Sequence, residues 1–270
     1  MSESGIADVA GARLAWWADG AGPPLVLVHA GVADARMWEP LLAELAGVCR
    51  TVRYDMRGFG RSRAAAGTFS SARDLAGLLD ALGIERAHVA GASFGGRVAL
   101  EFAATQPARV ESLVLLAAAL PDIDPSPELQ AFADAEEEAI EESRIADAVQ
   151  VNVQMWAGGS SPAVQALVAD MQRTAFELQL REGAEEVELD PPVSSRLAQI
   201  AVPATVAIGD RDVADFETVA QRLAAELPDA RLERIADAGH LLALDQPAAV
   251  ARLIAGHLAR LVTAPASPPR

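Results

Sequence analysis

Gly91-Ala92-Ser93-Phe94-Gly95-Gly96 follows the apolar run His88-Val89-Ala90 and opens the amphipathic stretch Phe94 to Thr105. A Gly-x-Ser-x-Gly turn between a strand and a helix bends the chain sharply, which the small flanking residues permit. The serine oxygen is lifted above the carboxyl edge of a sheet, and the helix N-terminus beneath it favours developing negative charge. The context of strand, turn and helix carries more weight than the five letters alone.

Outward from this turn the chain alternates strand-like and helix-like segments. Leu25 to Val28 after Pro23-Pro24, Arg50 to Tyr54 and Val110 to Leu116 read as further strands. Between them Glu39 to Ala46 and Ser70 to Leu82 have helical spacing. This rhythm predicts right-handed βαβ units and a mostly parallel sheet. Ile6 to Val9 and Arg13 to Trp17 have no helix between them, which predicts an antiparallel hairpin at one edge.

The pattern breaks at Pro121-Asp122-Ile123-Asp124-Pro125-Ser126-Pro127 and resumes after Pro191-Pro192. From Asp122 to Asp190 there are seventeen acidic residues and three arginines, so most of the net charge lies in this insert. It reads as helices without a strand. The strand and helix rhythm then returns with Ala204 to Ile208, Asp215 to Leu227, Arg231 to Ile235 and Pro247 to Leu261. The expected organisation is a core over 1–121, a helical cap over 122–195, the second part of the core over 196–262, and a disordered tail over 263–270.

With 270 residues, 51% of them hydrophobic, the chain can bury a sizeable core. The formal charge of −16 repels polyanions, and no basic stripe offsets it, which argues against nucleic-acid binding. All 22 basic residues are arginine, which excludes a lysine Schiff base or a P-loop lysine. No apolar run is long enough to span a membrane, and the N-terminus does not read as a secretory signal. The single cysteine, Cys49, offers neither an internal disulfide nor a thiolate metal cage. These features together predict a cytoplasmic protein, a monomer or homodimer.

A serine is a poor nucleophile without a histidine base and a carboxylate to orient it. Of four histidines, His240 in Asp237-Ala238-Gly239-His240-Leu241 lies in the loop after the strand ending at Ile235 and can reach Ser93. His88 begins the nucleophile strand at the opposite edge and reads as structural, and His257 reads as solvent-facing in mid-helix. For the acid, Asp212 in Ile208-Gly209-Asp210-Arg211-Asp212 is favoured over Asp210, with Asp215 third. The chain order Ser93, Asp212, His240 is that of the α/β-hydrolases.

Together with Leu25 to Gly31, Tyr54-Asp55-Met56-Arg57-Gly58-Phe59-Gly60-Arg61-Ser62 and Ala238-Gly239-His240, these segments make the chain resemble an α/β-hydrolase fold enzyme. His29 to Trp38 is also similar to the 3-oxoadipate enol-lactonase and cofactor-free haloperoxidase-like branch. The resemblance implies an α/β-hydrolase fold, with the cap after the sixth strand, and an oxyanion hole made by two backbone N–H groups. One should be that of Phe94 and the other that of Gly31, with Val32 as the alternative. The family usually carries His-Gly where this chain has His29-Ala30, and His29 is expected to brace the loop. Asp55, Arg57 and Arg61 are expected to be architectural.

From the insert, Trp156, Met155, Met171 and Phe176 are candidates to line a substrate pocket, together with Val32 and Leu241. Glu136, Glu137 and Glu138 point in diverging directions on a helix and read as a solvated face rather than a metal site. The expected activity is cofactor-free and metal-free cleavage of a small to medium, largely uncharged ester or lactone. Perhydrolysis, C–C bond or lyase chemistry on the same residues, and ligand reception without turnover, are the alternatives.

Overall fold

A computed structural model describes residues 2–263. Eight strands form its main sheet: β1 (Glu3–Val9), β2 (Ala12–Gly20), β3 (Pro24–Val28), β4 (Arg50–Tyr54), β5 (Ala87–Ala92), β6 (Val110–Leu116), β7 (Ala204–Gly209) and β8 (Ala230–Ile235). Their spatial order is β1-β2-β4-β3-β5-β6-β7-β8, with the two-residue strand Arg63–Ala64 added to β2. β1 and β2 form the expected antiparallel hairpin. β2 also runs antiparallel to β4, and all pairs from β4 to β8 are parallel.

The central strands are apolar on both faces because helices cover both. Leu25 to Val28 and Val89 to Ala92 are buried throughout. Helices α1 (Ser71–Ala81), α2 (Phe94–Thr105), α6 (Ala214–Glu226) and α7 (Pro247–Thr263) follow strands or strand loops of the core. Three more, α3 (Pro127–Glu141), α4 (Ile145–Ala157) and α5 (Pro162–Glu182), lie between β6 and β7. Ser126 and Ser161 cap α3 and α5, each followed by proline at the first helical position. α5 stops at Gly183, whose φ of 59° is left-handed.

Two local expectations change. Glu39 to Ala46 is not one helix: a 3-10 turn over Ala35–Leu41 holds Pro40, and a single α-turn, Leu42–Leu45, follows. Proline removes a helical donor there, while Met37, Trp38 and Leu41 still reach the core. The insert does contain a strand, Ala184–Glu186, which pairs in parallel with Gly67–Phe69. Its partner lies far away in sequence, and its glutamates carry no strand-like pattern. The tail expectation falls beyond the described residues except at Thr263, which ends α7.

The chain order switches direction between β3, whose chain leads to β4 on one side, and β5, on its other side. Crevices at such a point, outside the carboxyl ends of parallel strands, are where open α/β sheets place their ligands. No helix among the described residues is long and apolar enough to cross a membrane.

Candidate active site

Ser93 joins β5 to α2 with φ 51° and ψ −117°, a conformation that costs a non-glycine residue about 1–3 kcal/mol. Its backbone is pinned on both sides. The N–H donates to the Leu116 carbonyl at 2.9 Å, and its carbonyl accepts from Gly96 at 2.8 Å and Ala119 at 3.0 Å. Ser93 occupies the N-cap position of α2, yet its side chain makes no capping bond. The flanking glycines are needed for space. A Cβ on Gly91 would run into the Gly95 carbonyl, and one on Gly95 into the Val28 and His29 carbonyls.

The loops after β7 and β8 bring the second and third residues together. A Cβ on Gly209 would collide with the Ala238 carbonyl, so glycine lets the two loops touch. Arg211 N–H donates to that same carbonyl at 3.0 Å. His240 Nδ1 lies 3.0 and 3.1 Å from the two Asp212 carboxylate oxygens, and Val213 N–H donates to Asp212 Oδ1 at 2.8 Å. Both side chains are sealed from solvent, at 3% and 1% exposure. With Nδ1–H facing the carboxylate, Nε2 is left as the basic nitrogen. Asp245 accepts from Gly239 N–H at 2.9 Å and from Ser160 Oγ at 2.6 Å, tying the histidine loop to the loop between α4 and α5.

The competing aspartates are placed elsewhere. Asp210 is exposed, Arg211 pairs with Asp237 rather than with it, and Asp215 accepts from Ser126 N–H at 2.7 Å. Among the other histidines, His29 is fully buried. Its Nδ1 donates to the Ala30 carbonyl at 2.8 Å and its Nε2 accepts from Met56 N–H at 2.9 Å. Burial pushes its pKa down to about 4, so it braces the β3 loop as a neutral ring.

His257 corrects the expectation of a solvent-facing side chain: it is 2% exposed. Its Nδ1 is 2.8 Å from Thr205 Oγ1, its Nε2 is 2.8 Å from Ser112 Oγ, and Ser112 is in turn 2.8 Å from His88 Nδ1. Val250, Ile254 and Leu258 on α7 are buried at helical spacing, and His257 shares their face.

Ser93 and His240 line one cavity of about 530 Å³. Gly31, Phe94 and Val32 are on its wall. The Phe94 N–H is the first of α2 and has no intrahelical acceptor. Gly31 and Val32 are the central residues of a turn closed by the Ala33 N–H to Ala30 carbonyl bond at 3.0 Å. Gly31 packs against Phe94 so closely that a Cβ on it would sit 3.4 Å from the Phe94 Cβ. Trp156 also lines the cavity, 4.5 Å centroid to centroid from His240, with Phe216 on the imidazole at 4.3 Å.

Other pocket candidates differ. Met155 lines a smaller cavity of about 190 Å³ beside Asp212 and His240. Leu241 is 1% exposed and lines neither of these two cavities, because it packs into the core below the short helix Leu242–Asp245. Met171 is buried against the Asp34 N–H, whereas Phe176 is on the main cavity wall. Asp55 accepts from Ala35 and Arg61 N–H groups at 2.9 and 2.6 Å. Arg57 pairs with Asp74 at 2.8 Å and caps the Ala10 and Gly11 carbonyls. The Asp55 and Arg57 contacts are architectural, although Arg57 also borders the cavity.

Glu136 corrects the reading of a solvated face. Glu137 and Glu138 are exposed, but Glu136 lines the cavity and accepts from Asn152 Nδ2 at 2.5 Å. The Phe132, Glu136 and Ile140 spacing carried the signal, since four-residue steps share one helix face. Among the described residues no group of His, Cys, Asp and Glu is arranged to hold a metal ion.

A family model described as alpha/beta hydrolase fold matches residues 23–247. The chain belongs to that family. This α/β hydrolase is 27% identical over 238 residues to a carboxylesterase of Bacillus subtilis, covering 83% of this chain and 76% of the relative. It is 28% identical over 245 residues to 3-oxoadipate enol-lactonase 1 of Acinetobacter baylyi, covering 87% and 88%. The crystal structure of the enol-lactonase from Burkholderia xenovorans superposes with a TM-score of 0.76 at 27% identity, covering 94% of this chain and all of that one. Matches at 41 and 42% identity are local and span 38% of the relatives' own length.

Proposed function

We propose that this α/β hydrolase is a serine hydrolase that cleaves carboxylic esters or lactones of small to medium, largely uncharged substrates. The observation that carries the reading is His240, paired with Asp212, on the same cavity as a serine held in a strained turn. The esterase and lactonase relatives support the same bond type.

Ser93 Oγ attacks the carbonyl while His240 Nε2 takes its proton. Asp212 holds the ring in the tautomer that leaves Nε2 basic and stabilises the imidazolium once formed. The carbonyl oxygen becomes an oxyanion between the N–H groups of Phe94 and Gly31, with the α2 dipole adding to its stabilisation. His240 then protonates the leaving oxygen, and the acyl-enzyme forms. Water enters, gives a proton to His240, and its oxygen displaces Ser93, which recovers the proton.

Steady-state hydrolysis of short-chain nitrophenyl esters by wild type and Ser93→Ala tests this mechanism. Turnover by the wild type that is lost in the folded variant is expected. Full turnover in Ser93→Ala would overturn the assignment.

A further inference from the structure

The cavity has two layers, set by two four-residue steps on adjacent helices. Phe132 on α3 and Trp156 on α4 meet edge to face at 5.1 Å, and Trp156 packs on His240. One turn further along α3 is Glu136 and one turn back along α4 is Asn152, hydrogen-bonded to each other. An aromatic layer thus touches the imidazole, and a polar layer lies about 6 Å beyond it, one helical turn away.

That polar layer is rich in acceptors. Asn152 spends both Nδ2 hydrogens, one on Glu136 and one on the Ala148 carbonyl at 3.0 Å, leaving its Oδ1 as an acceptor. Glu136 has no cationic partner among the described residues. Gln172 on α5 also lines the cavity, is 5% exposed, and its Oε1 has no hydrogen-bond partner. A buried polar atom left this way is destabilising until a donor reaches it.

Charge points the same way. The lining carries three carboxyl groups, Glu136, Glu182 and Glu186, and one guanidinium, that of Arg57. Arg57 is already committed to Asp74 and two carbonyls. Glu182 accepts from Ala64 N–H at 3.0 Å, and Glu186 from Ser71 N–H at 3.2 Å with Arg97 at 3.8 Å. Arg181 also lies 3.6 Å from Glu182, so Glu136, held by Asn152 alone, is the one of the three with no arginine beside it. Burial raises its pKa, partly offset by the Asn152 bond, as expected of a carboxyl short of donors.

We propose that Glu136, Asn152 and Gln172 select substrates whose end remote from the scissile carbonyl carries a hydrogen-bond donor, hydroxyl or ammonium, and reject anionic ends. This rests on the serine hydrolase reading above. The donor fills acceptor sites that the fold leaves open. A carboxylate there would face Glu136 with no free cation to offset the repulsion.

The test is kcat/KM for matched straight-chain acyl nitrophenyl esters ending in methyl, hydroxyl, ammonium or carboxylate, on wild type, Glu136→Gln and Gln172→Leu. In wild type the better of the two donor-ended esters should exceed the methyl ester by roughly tenfold, and the carboxylate ester should fall below it by a similar factor. Whether hydroxyl or ammonium leads identifies the preferred donor. Glu136→Gln should collapse the ammonium-to-carboxylate ratio toward one, and Gln172→Leu should reduce the hydroxyl preference. Ser93-dependent turnover with equal rates across the series, or a carboxylate preference, would overturn the inference and leave the hydrolase reading intact. A preference that survives Glu136→Gln would overturn the assignment to Glu136. No turnover of any ester by wild type would remove both.

Discussion

Two serine–histidine arrangements lie at opposite ends of the same parallel strands. At the carboxyl edge Ser93 and His240 face a cavity, with a carboxylate on His240 Nδ1. Nearer the amino ends Ser112 and His257 touch directly at 2.8 Å, with Thr205 on the other ring nitrogen. Proximity alone would favour the second pair. Burial decides otherwise: Ser112 and His257 are 0% and 2% exposed, and the ring is held by a neutral hydroxyl instead of an acid. The bonds can run in one direction, from Arg260 to Thr205, to His257, to Ser112 and on to His88. Such a chain satisfies each group with neutral rings, and burial lowers the His257 pKa to about 4. In the proposed mechanism the first arrangement changes protonation during the reaction, whereas the second stays neutral in the core.

The largest test of this contrast is replacement of the nucleophile. Ser93→Ala should lower kcat for esters by a factor on the order of 10^6, to the residual supplied by binding and the oxyanion site. Asp212→Asn should cost roughly 10^4 in kcat with little change in stability, because the wrong imidazole nitrogen then carries the proton. Ser112→Ala should leave kcat/KM within about threefold of wild type yet lower unfolding stability by roughly 1–3 kcal/mol in denaturant titrations. Turnover lost in Ser112→Ala at full stability would invert the comparison.

The smallest effect is a pH dependence. Because the folded His257 pKa lies below its unfolded 6.5, its contribution to stability is present above pH 6.5 and is lost as pH falls toward about 4. Burial moves the Asp55 pKa in the opposite sense, up to about 6, and Glu101 to about 7, so wild-type stability alone mixes both signs. The Tm gap between wild type and His257→Gln isolates the histidine. It should narrow as pH falls from 6.5 toward 4, and a constant gap would contradict the neutral-ring reading.

The contrast also explains what could be read from the sequence. The turn around Ser93 is local, and glycine spacing with flanking strand and helix patterns announces it. Asp212 and His240 each sit in the loop that follows a strand, so the alternation of strands and helices brought them to one sheet edge. The α7 pattern of Val250, Ile254 and Leu258 held the burial of His257 in plain view, but a histidine among apolar residues reads as an interruption. Glu136 was hidden by Glu137 and Glu138, which do face solvent. The Ala184–Glu186 strand and the Arg57–Asp74 pair depend on partners 117 and 17 positions away, and no local signal names those.

The most direct measurement is fluorophosphonate labelling followed by peptide mapping on wild type, Ser93→Ala and Ser112→Ala. The account predicts phosphonylation at Ser93, absent in Ser93→Ala and retained in Ser112→Ala. Label on the peptide carrying Ser112, or label that persists in Ser93→Ala, would contradict it.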